Sequence, residues 1–482
     1  MSRACRISVG VAALLVLAAA APLPAADAPL AQKPEVAAAI EVFDTWADWT
    51  VRNREQPAVS IGIVHDQELV WAKGYGYADL AKKIPATPAT AYRIASISKT
   101  FTAHALLQLR DAGKLQLDDP ITKWIPELKL AKVDPQSPPI TIRHLLTHTG
   151  GIPREVDGTY WNDMNFPTRE QMLPVLARMG IVNAPEKEWK YSNVALSLAG
   201  YIVEAASGEP YAEYIARHIL APLGMSETRV LPPRDMATLA VGYGRRMAGA
   251  PRRIEPFFNG VYMTPASNLA STVDDLAKYI ELQFRSGPAG GSQILKGSTL
   301  AEMQRIQWLQ PDWKGGWGLG WGIARRDDQT RISHGGSVPG HRTTISFVPA
   351  EKFGVIVLTN AEDGRPALYV NQAYAIVAPA IAKAVAEQKP AAKPDASWTK
   401  YAGVYTWEDE EVHVAVLDGK LSMFDPSEDN PWATKVTLEP VSGNVFRQVG
   451  GDAAGETVTF ISDASGKVTR LEAPGYYLER RP

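Results

Sequence analysis

A serine and a lysine one helical turn apart, in Ser96-Ile97-Ser98-Lys99, are the first residues whose spacing could do chemistry. On a helix they share a face. A serine hydroxyl is a weak nucleophile until a base takes its proton, and a lysine whose pKa is lowered by burial can serve. At a helix start the serine also meets unpaired backbone N–H groups and the positive end of the dipole, which favour an oxyanion. The pattern alone is weak. Ser397-Trp398-Thr399-Lys400 matches it too, and an N-cap serine beside a surface lysine reads the same way.

Two further stretches carry polar groups of catalytic type. Tyr191-Ser192-Asn193 follows "PEKEWK" and opens "NVALSLAGYIVEAASG". A tyrosine whose pKa is lowered by nearby cations could shuttle protons, and an asparagine offers a donor and an acceptor to a substrate amide. Tyr160-x-Asn162 and Tyr369-x-Asn371 repeat the spacing, and the plain alternative for a tyrosine is core packing with a satisfied hydroxyl. The third stretch, "RISHGGSVPGHR" (331–342), places two glycines beside His334 in a strand-like run. Strand glycines weaken a sheet unless a backbone or ligand approaches closely. Small residues there would let a substrate lie along the strand as an added strand, with a backbone N–H as an oxyanion donor.

The elements that must hold these residues follow from periodicity. Val36–Asn53 has Ile40, Phe43, Ala47 and Val51 at helical spacing. "AVSIGIVHDQELVWAKGYGYAD" alternates about Asp66-Gln67 and predicts a hairpin. Ser96 to Ala112 turns helical and Gly113 stops it. Residues 114–330 read mostly as helices and long loops, with helices at Asn193–Ala206, Tyr211–Leu220, Asp274–Arg285 and Thr299–Ile306. "HGGSVPGHRTTISFVPA" and "FGVIVLTNAE" restore strands, with a turn at Ala350–Lys352, and Ala367–Glu387 is one long helix. Early and late strands around a helical middle predict one α/β domain with a helical insertion. "QKPAAKPDAS" (388–397) reads as a linker. Short strands and glycine turns beyond it predict a separate small antiparallel β domain, a barrel candidate. The expected division is residues 1–26 as a signal peptide, 27–387, the linker, and 398–482.

The signal is read from Arg3 and Arg6, the apolar run Ile7–Ala21 and small residues with cleavage near Ala26. That run is too short to favour a membrane span. An exported chain in a bacterial periplasm or extracellular space is expected, with no stable span after cleavage. The single cysteine, Cys5, leaves with the signal, so the mature fold has no disulfide. A net charge of -2 and the lack of a long basic run point away from nucleic acid or an acidic membrane as partner. His144 and His148 stand four apart, but "HLLTH" lacks the glutamate of a zinc protease motif. A structural role is expected and no metal. Trp308, Trp313, Trp317 and Trp321 either line an apolar cleft or fill the core.

Ser-x-x-Lys, Tyr-Ser-Asn and His-Gly-Gly, in that order, resemble the penicillin-recognising serine hydrolases. These are class C β-lactamases, D-alanyl-D-alanine carboxypeptidases, D-aminopeptidases and related esterases. "YRIASISKTFTA", "ITIRHLLTHTGGIP" (Ile140–Pro153) and "GWGLGW" are similar to further signatures of that family, and the likeness covers about residues 36 to 385. One such motif is unspecific; five in order are strong. The resemblance implies a β-lactamase-like fold, an antiparallel sheet flanked by helices. It implies Ser96 as acyl-accepting nucleophile, with Lys99 and Tyr191 as the proton-transfer network. Asn193 would contact the substrate amide and help orient Lys99. The N–H groups of Ser96 and Ser337, the latter after His334-Gly335-Gly336, would form the oxyanion hole, and no cofactor or metal is implied. The substrate would be a small molecule or peptide. β-Lactamases of this kind usually carry lysine where this chain has His334, and an unperturbed histidine is only about a quarter charged at pH 7. Esters or small D-amino-acid-containing peptides and amides therefore rank above β-lactams or D-alanyl-D-alanine ends. A low-turnover penicillin-binding sensor or non-catalytic scaffold is the alternative from another class. The C-terminal part resembles the lipocalin-like β domains appended to some members.

Overall fold

The computed structural model describes residues 29–131, 136–287, 290–326, 329–388, 396–408, 410–417, 419–427 and 431–482. The expected signal segment, Cys5 and most of the expected linker lie outside the described residues. The chain divides into two compact units, one up to Ile381 and one from Ala382.

The first unit is built on a nine-stranded antiparallel sheet. Its order is Ile84–Pro85, Glu68–Asp79, Ala58–His65, Phe353–Thr359, His341–Val348, Gln329–Val338, Gly322–Arg326, Gly315–Trp317 and Trp308–Leu309. The expected early hairpin forms, turning at Asp66 with φ 50°. Ala58–His65 and Phe353–Thr359 are apolar almost throughout and buried on both faces, as strands covered on two sides must be. Phe353 turns to Tyr374 of the long helix Pro366–Gln388, while Gly354 beside it turns to Ile280 of the helix Val273–Gln283. The N-terminal helix Pro34–Asn53 joins the first face, with Trp46 against Tyr369 and Phe43 against Trp71.

The region read as helices and loops up to 330 also supplies three short strands of this sheet, Trp308–Leu309, Gly315–Trp317 and Gly322–Arg326. Their glycine content and brevity hide the alternation that marks a strand. "HGGSVPGHRTTISFVPA" is two strands, not one, because Pro339-Gly340 turns the chain and pairs His341 with Val338. The helix expected at Tyr211–Leu220 is an α-helical turn, Tyr211–Ile215, passing into a π-helical one, Ala216–Leu220.

The second unit contains a closed antiparallel barrel of eight strands, from Gly403–Trp407 to Tyr476–Arg480. Tyr405, Leu421, Phe446, Phe460 and Leu471 fill its interior. Two strands not read from the sequence, Val436–Ser442 and Tyr476–Arg480, complete the closure. The first carries Pro440 and a mostly exposed face, so its apolar pattern is faint. Among the described residues no helix is long and apolar enough to cross a membrane.

Candidate active site

Ser96 does not open the long helix. It sits in a short 3-10 turn, Ala95–Ile97, and the α-helix runs Ser98–Asp111. Ala95 takes a left-handed φ of 48°, which costs about 1 kcal/mol for a residue with a Cβ. Such strain persists only where surrounding structure over-determines the backbone. Here it does. Tyr92–Arg93 pairs with Ala270–Ser271, and Ile94 N–H donates to Leu269 O at 2.9 Å. The buried Arg93 guanidinium bonds Asn268 Oδ1 at 2.6 Å and the carbonyl of Phe258. Ser98 Oγ accepts from Leu269 N–H at 3.1 Å. From Ala91 to Thr100 only Ser96 is not fully buried.

Lys99 lies beneath it. Its Nζ donates to Ser96 Oγ at 2.9 Å and to Ala266 O at 2.8 Å, and stands 5.0 Å from the centre of the Tyr191 ring. Lys99 has no exposed surface. Burial holds its ammonium well below the usual lysine range, with Glu155 opposing that effect and Arg154 adding to it. A neutral amine within hydrogen-bond reach of a hydroxyl is a competent general base.

Tyr191 and Asn193 are set by the cap of the helix Asn193–Ser207. Ser192 Oγ accepts from Ala195 N–H at 2.9 Å and donates to Pro153 O at 2.7 Å, while Ser192 N–H donates to His148 Nδ1 at 3.2 Å. This explains the stretch Ile140–Pro153. His144 closes a capping box with Thr141 and meets Glu186, while His148 ends the helix Ile142–Thr147 in a left-handed conformation and stacks on Tyr191 at 4.4 Å. The two histidines face different partners, and of the two it is His148 that buttresses the tyrosine. Among the described residues no cluster of three His, Cys, Asp or Glu is arranged to hold a metal ion. Tyr191 differs from expectation in one respect. Burial pushes its hydroxyl up to about 12, against a hydrogen bond with Ser96 and the charge of Arg154. At neutral pH it is a proton donor or relay rather than a phenolate.

The Gln329–Val338 strand forms the opposite wall. Its first half pairs with Gly322–Arg326, but that pairing ends at Ser333, so 334–338 has a strand partner only in His341–Val348. Val338 and His341 close the two-residue turn as a hydrogen-bonded pair, and antiparallel pairs alternate from there. Ser337 and Gly335 therefore turn their N–H and C=O groups to the open edge. That edge leaves the Ser337 N–H and C=O without a strand partner.

His334 is buried, with its Nδ1 2.8 Å from Gly335 O. Burial, reinforced by Lys99, holds its pKa at about 3. The expectation of a quarter-charged histidine at pH 7 is thus corrected: this imidazole is neutral. Of the four tryptophans, Trp317 reaches the site, edge-on to His334 at 5.6 Å and to Tyr191 at 6.1 Å. Trp321 is core and Trp313 is 80% exposed.

Asn193 shares no hydrogen bond with Lys99, so the expected orienting of the lysine is not direct. Its Nδ2 donates to Glu155 Oε1 at 2.5 Å, and Lys99 is held by Ser96 and Ala266 instead. Glu155, Ala266 and the buttressing contact of His148 were not visible from sequence. Glu155 lies in a loop without periodicity, and Ala266 contributes only a carbonyl.

A family described as Beta-lactamase matches residues 43–378. Protein flp of Staphylococcus aureus (strain MW2) is 29% identical over 329 residues, 66% of this chain and 62% of that protein. The chain thus spans less than two thirds of the length of that relative. Penicillin-binding protein 4* of Bacillus subtilis (strain 168) is 25% identical over 442 residues, 84% of this chain and 93% of that protein. The structure of the octameric penicillin-binding protein homologue from Pyrococcus abyssi matches with a TM-score of 0.61 and 26% identity, over 91% of this chain and 99% of that one. With a family match over most of its length and the ordered motifs gathered around one cleft, this chain belongs to the beta-lactamase family of serine hydrolases.

Proposed function

We propose that this chain is an exported acyl-serine hydrolase that cleaves esters or small D-amino-acid-containing peptides and amides. The observation that carries the reading is the buried Lys99 amine 2.9 Å from Ser96 Oγ. Lys99 takes the Ser96 proton as Oγ attacks the substrate carbonyl. The oxyanion is held by the N–H groups of Ser96 and Ser337. The proton passes to the leaving group through Lys99 and Tyr191, and water then hydrolyses the acyl-enzyme.

The substrate preference rests on charge. His334 is neutral, and the Arg342 guanidinium is engaged by the carbonyls of Val338 and His341 at 3.0 and 2.9 Å. The neutral His334 offers a substrate carboxylate no charge where a lysine would, which ranks β-lactams and peptide C-termini below neutral acyl groups. The test is a panel of short acyl esters, D-amino-acid amides, D-alanyl-D-alanine peptides and a chromogenic cephalosporin, against wild type and Ser96→Ala. Turnover of esters or D-amides that vanishes in Ser96→Ala is expected. Turnover that survives the substitution overturns the nucleophile, and dominant cephalosporin hydrolysis overturns the preference. Covalent labelling of Ser96 without turnover of any substrate would identify a sensor.

A further inference from the structure

Glu155 belongs to none of the motifs, yet it ties together residues on three elements around the nucleophile. Its Oε1 accepts from Asn193 Nδ2 at 2.5 Å, and its Oε2 accepts from the Tyr262 hydroxyl at 2.9 Å. The Tyr160 hydroxyl lies 3.5 Å from the same oxygen, donates to Val156 O at 2.8 Å and meets the Tyr262 hydroxyl at 3.2 Å. The neighbouring Arg154 carbonyl accepts the Asn193 N–H at 3.0 Å. Two adjacent residues therefore fix both the main chain and the side chain of Asn193.

A carboxylate can only accept, so it leaves the Asn193 amide one orientation, nitrogen toward Glu155 and oxygen away. That oxygen is buried without a partner in the protein. An unpaired buried acceptor is costly and is rarely kept without a use. We propose that Glu155 is a positioning residue for acyl transfer: it locks the Asn193 amide and brings its carboxylate within electrostatic reach of Lys99. This rests on Ser96 being the nucleophile.

The charge has a direction of effect. The titratable groups around Lys99 are Tyr191, His148, His334, Arg154 and Glu155. The two histidines are neutral by burial and Tyr191 is protonated, which leaves Arg154 disfavouring the ammonium and Glu155 favouring it. Removing the Glu155 charge makes Lys99 harder to protonate. If neutral Lys99 is the base, the acid limb of the acylation rate must move to lower pH. A merely structural role predicts no such movement.

The experiment is single-turnover acylation by p-nitrophenyl acetate from pH 4 to 9, for wild type, Glu155→Gln, Glu155→Asp, Asn193→Ala and the Gln/Ala double variant. Glu155→Gln is expected to slow acylation ~10- to 100-fold, as loss of alignment does, and to lower the acid limb. Asn193→Ala should cost less in the Glu155→Gln background than in wild type. Glu155→Asp keeps the charge, so it should lose rate while keeping the wild-type limb; it decides the matter if Glu155→Gln does not fold. Unchanged rates, or additive losses with an unmoved limb, overturn the role of Glu155 alone. A wild-type chain that p-nitrophenyl acetate never acylates at Ser96 overturns the nucleophile assignment and this inference with it.

Discussion

A Cβ on Gly336 would lie 2.1 Å from the carbonyl oxygen of Ile94. The strand and the turn that carries Ser96 are thus pressed backbone against backbone, and Thr343 Oγ1 donates to the same carbonyl at 3.1 Å. The two adjacent glycines have different reasons. A Cβ on Gly335 would have no neighbour closer than 3.6 Å, and Gly335 lies on the exposed face. Gly336 is required by the fold of the site, while a side chain at Gly335 would meet no close contact.

Gly336→Ala should therefore destabilise the protein by about 1–3 kcal/mol, the range for forcing extra atoms into a packed contact, and abolish ester turnover. Gly335→Ala should leave the stability within the small range of surface changes, roughly ±0.5 kcal/mol, and act on KM instead. Thermal melts and ester kinetics on both variants check this. Equal losses in stability would contradict it.

Lys99 links function to stability. Its folded pKa is depressed by burial, so below the ordinary lysine pKa the unfolded chain binds a proton that the native state refuses. Stability from this group is lost as pH falls from that ordinary value toward the folded one. Lys99→Met removes the burden. The variant should be inactive, and its stability relative to wild type should be greatest at low pH and shrink as pH rises toward about 10.4. Denaturant titrations at several pH values read this; an advantage that grows with pH would refute it.

Buried histidines give a second pH signature. His104, His334 and His341 are held at about 3 by burial. Each contributes stability that is present above about 6.5 and lost as pH falls through about 3. The midpoint of denaturation should fall progressively across that window. In an NMR titration from pH 5 to 8 the His334 ring signals should stay fixed, and ester turnover should show no step from His334. A His334 titration near its ordinary value would restore a charged wall to the cleft.

The order of motifs pointed to Ser96, Lys99 and the glycine strand together, and the structure does bring Lys99 to Ser96 and the strand against the turn that carries it. The hairpin at Asp66 and the apolar strand Phe353–Thr359 were legible from their local residue patterns. Less visible were features set by tertiary contact. The three short strands between Trp308 and Arg326 have too few residues to show a period. Ser96 looked like a helix start, but contacts from Leu269, Asn268 and Phe258 hold its turn in a tighter, strained form. The charge of His334 and the pKa of Tyr191 depend on burial, which spacing cannot report. Glu155 carries no local pattern, and only the meeting of its loop with Tyr262 and Asn193 reveals it.

The central claim is that Ser96 carries the acyl group. Wild-type protein mixed with p-nitrophenyl acetate, quenched in acid and measured by intact and peptide mass spectrometry tests it directly. The predicted result is one acetyl group, about 42 Da, on the peptide containing Ser96 and absent in Ser96→Ala. Acetylation elsewhere with Ser96 unmodified, while ester turnover continues, would contradict the account.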